Sequence, residues 1–135
     1  MNTIRLNLKG RVCSKKNSRQ NRKGRTATGK VYNFTVPSEA HECFKNDCIQ
    51  QISALKLPQL KPPYFIRYSF FLKGKLDIDI DNAITSLNDL LQDKMVHIID
   101  NDKNIVEVHA RKISGNKDFH TELEIYDEHT NFKKG

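Results

Sequence analysis

Apolar and polar residues alternate with a period of two at the start of the chain, where Ile4, Leu6 and Leu8 are separated by Arg5 and Asn7. One face of such a segment is buried and the other is wet, which predicts a first strand over residues 3 to 9. From Lys15 to Gly29 the chain is made largely of Lys, Arg, Asn, Ser, Thr and Gly, with almost no apolar anchor, and reads as a mobile basic loop. Val31 to Thr35 is a short β-favouring run. Pro37 and Ser38, followed by Glu39 and Glu42, have the composition of a helix start with acids in the first turn. Ala40, Phe44, Cys48 and Ile52 then recur at four-residue steps, so a first helix should run to about Leu55 before Pro58 stops it.

After Pro58, Pro62 and Pro63, residues Tyr64 to Leu72 are aromatic and apolar on both faces, as in a central strand. A polar turn at Lys73, Gly74 and Lys75 leads to the run Leu76-Asp77-Ile78-Asp79-Ile80-Asp81. Helical spacing of Ala83, Ile84, Leu87, Leu90 and Leu91 predicts a second helix from about Asn82 to Asp93, with Asp81 at its N-cap. Ile105 to Ile113 and Phe119 to Tyr126 read as two strands joined through Ser114-Gly115-Asn116, a hairpin. No internal repeat is visible. These elements predict one α+β domain over residues 1 to 126, a mixed sheet of four to five strands packed with two main helices. Residues 127 to 135 form a polar tail, and 135 residues suffice to bury a core without staples.

Charge sharpens this picture because it is uneven. Residues 1 to 30 carry ten Lys and Arg and no acid, whereas the rest of the chain has thirteen basic and sixteen acidic residues. A segment of +10 thus joins a body of −3, with the basic loop spanning residues 12 to 30. Neutralising phosphates releases their condensed counterions, so an arm of this kind fits a polyanion, and nucleic acid is the candidate. Residues 1 to 31 contain no aromatic, which argues against single strands held by stacking. Three cysteines without a CxxC pair suit reduced thiols rather than disulfides or zinc. No apolar stretch is long enough for a membrane span, and residues 1 to 11 contain no secretory core, which predicts a cytoplasmic protein.

The acids carry the candidate chemistry. In an extended segment Asp77, Asp79 and Asp81 project to one side while Ile78 and Ile80 enter the core. Like charges this close call for protonation or a cation. Carboxylate oxygens without Cys or His suit Mg2+, or Mn2+, rather than zinc or copper. Asp100 and Asp102 form a second acidic pair after the second helix, and only tertiary folding could bring them to the first group. Turn and capping chemistry would account for either set as well.

The order of features resembles the RusA family of Holliday-junction resolvases over roughly residues 8 to 126. The features are Ser14-Lys15-Lys16-Asn17 in a basic loop after strand one, Val36-Pro37-Ser38 opening a helix, and Asp79-x-Asp81-Asn82. Asn88-Asp89-x-Leu91, Asp102-x-x-Ile105 and Lys112 complete the series. The resemblance implies a homodimeric, magnesium-dependent endonuclease that resolves four-way DNA junctions by paired incisions in recombination and repair. It implies Asp79 and Asp81 as catalytic, metal-holding aspartates, with Asp102 or Asp100 as the third. Asn82 and Lys112 become supporting residues, and Lys15, Lys16, Asn17, Arg19, Arg22, Lys23, Lys73 and Lys75 contact DNA. One departure stands out, since the family commonly has a catalytic lysine where this chain has Thr85. A threonine supplies no positive charge, so that charge must come from Lys73, Lys75, Lys112 or the arm; otherwise the chain is a weak or inactive binder of branched DNA.

Overall fold

Strand β1 (Thr3–Lys9) buries Ile4, Leu6 and Leu8 and turns Arg5, Asn7 and Lys9 outward, as the alternation requires. The computed structural model describes residues 2–14, 20–25, 27, 29–36 and 39–128, with the strands at 20–25 and 31–36 described through their backbones. The remaining elements are β2 (Gln20–Arg25), β3 (Val31–Val36), α1 (Glu39–Ser53), β4 (Tyr64–Lys73), α2 (Ile80–Leu91), β5 (Ile105–Asn116) and β6 (His120–Tyr126). A single 3-10 turn at Asp102–Asn104 leads into β5. Together they make one α+β domain around a mixed four-stranded sheet in the order β1-β6-β4-β5, with β2 and β3 forming a separate two-stranded ribbon.

Both helices lie on one face of the sheet. Alternate residues of β4, namely Tyr64, Ile66, Tyr68 and Phe70, meet Phe44, Cys48 and Ile52 of α1 and Leu87, Leu90 and Leu91 of α2 in one core. Neighbouring strands add Ile4, Leu6 and Leu8 from β1 and Leu123 and Ile125 from β6. The hydroxyl of fully buried Tyr68 donates to Asn88 Oδ1 of α2 at 2.6 Å, which keeps this buried polar atom satisfied as the helix packs down. Among the described residues no helix is long and apolar enough to cross a membrane.

Three expectations from the sequence change. First, β5 and β6 are not a hairpin. β5 pairs parallel with β4 on one side, while β6 pairs antiparallel with β4 on the other and with β1 beyond it. The helical crossover α2 places β5 parallel to β4. Ser114, Gly115 and Asn116 complete β5 rather than turn the chain, and Gly115 and Asn116 exchange backbone bonds with Gly74 (Gly115 N to Gly74 O at 3.0 Å, Gly74 N to Asn116 O at 3.2 Å). Gly115 has φ of 82°, a conformation that favours glycine.

Second, part of the predicted loop is ordered as strand, since Gln20–Arg25 pairs antiparallel with Val31–Val36. Backbone hydrogen bonding to a neighbour, rather than apolar burial, selects that strand, so the hydrophobic pattern carries no trace of it. Third, α2 begins two residues earlier than predicted, with Asp79 rather than Asp81 as its N-cap. Ile80 packs against the core and draws the first turn back toward β4. The predicted helix start at Pro37 and Ser38, and the tail beyond residue 128, lie outside the described residues.

Candidate active site

β4 ends at Lys73 and the chain turns sharply into α2, so the acidic run sits where the strand's C-terminal end meets the helix's N-terminal end. Unpaired amide groups at a helix N-terminus favour negative charge. Asp79 takes extended backbone geometry there, and its carboxylate makes no capping bond. Its Oδ2 instead accepts from Asn82 Nδ2 at 3.4 Å, one turn further on. Both residues line a cleft of about 380 Å³, whose opposite wall is the chain leaving β1, from Arg11 to Ser14. Ser14 is buried, and Lys15, the first residue of the basic arm, follows it directly.

Asp77 lines the same cleft but is already engaged. Lys112 Nζ, reaching over from β5, donates to Asp77 Oδ1 at 2.9 Å and to the Ile78 carbonyl at 3.0 Å. That ammonium, followed by the Ile78 amide, holds the Asp77 carboxyl below its ordinary range. Asp81 lies in the first turn of α2 and is exposed, and Thr85 Oγ1 donates to its carbonyl at 2.9 Å. Because the helix begins at Ile80, the alternation that would put Asp77, Asp79 and Asp81 on one side stops at Asp79. Positions 79 and 82 share a helix face, and position 81 points elsewhere.

The second acidic pair stands at the other end of the domain. Asp100 N donates to the hydroxyl of Tyr64, the first residue of β4, and Asp102 N donates to Gln92 Oε1 just beyond α2. From Asp79 to Gln92 the helical path is about 20 Å at 1.5 Å per residue. Within one protomer, then, α2 carries the chain away from Asp79 rather than returning Asp100 or Asp102 to it. The carboxylate of Asp100 accepts from Asn104 Nδ2 at 3.0 Å and from the Asn101 amide at 2.7 Å, and these bonds, Asn104 first, lower its pKa. Among the described residues no group of three or more His, Cys, Asp and Glu side chains is placed to hold a metal ion. A single protomer therefore does not by itself offer the carboxylate set that the sequence suggests.

Lys73 and Lys75 are exposed at the β4 end that also carries Asp77 and Asp79. Arg22 and Lys23 belong to β2, while Lys15, Lys16, Asn17 and Arg19 lie outside the described residues.

Beneath the cleft lies a polar group that the hydrophobic pattern alone does not flag. His41 of α1 is 1% exposed. Its Nδ1 lies 3.4 Å from the Cys13 carbonyl and 3.5 Å from Ser86 Oγ, and its Nε2 lies 3.9 Å from Asp89 Oδ2. Lys45, one turn along α1, holds Asp89 and Asp93 at 3.0 Å each. The sequence does carry a signal for it: Asp79, Asn82, Ser86, Asp89 and Asp93 fall at three- and four-residue steps, a polar stripe beside the apolar face of the helix. What that stripe meets on α1 is a matter of packing. Compared with models of known protein families and with curated proteins, the chain matches none.

Proposed function

We propose that this chain is a divalent-metal-dependent endonuclease for branched DNA, acting as a two-fold dimer. The observation that carries the reading is the shared cleft: Asp79 and Asn82 at the helix start form one wall, and the root of the basic arm forms the other. A cation-rich segment that follows the cleft wall in sequence would bring a phosphate backbone to that carboxylate through salt-sensitive contacts. Lys112 brings an ammonium to Asp77 at the edge of this cleft.

A dimer would reconcile the nuclease reading with the separation of the two acidic groups. β5 is an edge strand, and Val106 near its start is an exposed large apolar residue. Antiparallel pairing of two such edges across a two-fold axis would set the start of one β5, with Asp100 and Asp102, beside the end of the other, with Lys112 and Asp77. Asp79 of one copy and Asp102 or Asp100 of the second would then be the carboxylates available to Mg2+ or Mn2+, with Asp81 on another face of α2. A divalent ion held there would favour a hydroxide nucleophile at neutral pH and offset charge on the scissile phosphate. Two such sites would match the two-fold symmetry of a four-way junction.

The absence of a cation on the first turn of α2 favours one other reading, a protein that grips junctions without cutting them. The test is a synthetic four-way junction beside linear duplex, with Mg2+ or with EDTA, using wild type and Asp79→Asn. Paired incisions in the junction alone, lost with EDTA and in the variant, are the expected result. Junction binding without incision would leave the binder, and neither binding nor incision would refute both.

A further inference from the structure

The two walls of the cleft meet through His41. A backbone carbonyl only accepts, so a bond to Cys13 O requires the proton on Nδ1. The ring edge that faces the arm root also faces Ser86, one turn after Asn82 on the opposite wall. From its other edge the ring faces the Asp89 and Lys45 pair, which ties α1 to α2 at the same level. At 1% exposure no bulk water competes for these groups, so the ring's position is set by the protein alone.

We propose that His41 is a positioning residue that clasps the root of the basic arm to α2 and thereby sets the width of the cleft between Arg11–Ser14 and Asp79–Asn82. Its Nδ1 contact to the Cys13 carbonyl carries this role, whereas Lys45, through Asp89, holds α1 against α2. The consequence for DNA cleavage rests on the nuclease reading, whereas the clasp itself does not.

Two substitutions separate the contacts. Asparagine places an amide N–H near the position of Nδ1, and glutamine places one near Nε2. The three cysteines provide the readout, because Cys13 stands at the clasp, Cys43 is exposed and Cys48 is buried in the core. Iodoacetamide labelling of each thiol is followed by mass spectrometry in wild type, His41→Asn, His41→Gln and His41→Leu, together with single-turnover cleavage of a four-way junction at saturating protein. Losing one buried hydrogen bond should speed labelling of Cys13 by about tenfold in the Gln and Leu variants, with Asn close to wild type and Cys43 and Cys48 unchanged. Cleavage should fall in parallel, while junction affinity, set by the unchanged arm charges, stays within about threefold. Equal acceleration at Cys48 would mean general loosening of the fold and would overturn the proposal, as would an unchanged Cys13 in His41→Leu. If the wild type does not cut, the nuclease reading fails, and the labelling pattern still decides the clasp.

Discussion

Lys45 is the cation of the seam between the helices, and replacing it with methionine gives a prediction whose size and sign both follow from the structure. The side chain is about a fifth exposed, as are its partners Asp89 and Asp93, and each contact is 3.0 Å. Exposed ion pairs are worth at most about 1 kcal/mol, whereas removing one partner of a fully buried pair costs about 3 to 5 kcal/mol. A site this far buried should lie between, at about 2 kcal/mol, and methionine keeps the packing of the stem. For a domain of this size that corresponds to a melting point lower by about 6 °C. The pH dependence is the sharper test. Burial pulls the Lys45 pKa down, but bonds to Asp93 and Asp89 outweigh it, and the net shift is upward. That stabilisation is complete below the ordinary lysine value and is lost only as pH rises through the folded value. The Asp93 pKa is lowered, first by the Met95 amide and then by Lys45. Its contribution is present above the ordinary carboxylate value and is lost as pH falls through the folded one. In Lys45→Met two carboxylates face each other without a cation, so acidification from neutral pH toward 4.5 should relieve their repulsion and narrow the gap to wild type. Urea unfolding followed by circular dichroism at both pH values measures this. A gap that is negligible at neutral pH, or that widens on acidification, would refute the assignment of Lys45 as the neutralising group.

Two further outcomes can be checked directly. Neutralising Lys15, Lys16, Arg19, Arg22 and Lys23 should flatten the dependence of junction affinity on salt by about 0.9 in log–log slope for each phosphate left without its cation, while neutralising Lys133 and Lys134 should change it little; equal effects would show that the arm is not the grip. Tyr68→Phe should cost about 1 kcal/mol in urea unfolding by removing the donor to Asn88 Oδ1, and no measurable loss would mean that this bond does not hold α2 to the sheet.

The elements that bury an apolar face could be read from the chain. Period-two alternation in Ile4, Leu6 and Leu8 and four-residue steps in Phe44, Cys48 and Ile52 survive into the fold because the same side chains that make the pattern make the core. β4 was legible for the related reason that an interior strand is apolar on both faces. Where burial does not decide, the sequence misled. β2 is strand without an apolar side, and β5 with β6 looked like a hairpin because a strand records which face is buried, not which neighbour it pairs with. The helix start at Ile80 rather than Asn82 mattered most for the site, since it moves Asp79 to the N-cap and takes Asp81 out of the alternation.

Charge and residue type, by themselves, determined that a basic arm precedes an acidic body, and that Asp81 and Asn82 stand at the start of a helix. These are one-dimensional facts, fixed by composition and local spacing. Which acids share a site was decided only by the tertiary structure. A parallel crossover puts the beginning and end of α2 at opposite ends of β4, so it separates Asp79 from Asp102 however close the sequence makes them look. The same packing brings Lys112 to Asp77 and His41 to the root of the arm, contacts between residues 28 to 35 positions apart that no local pattern could contain.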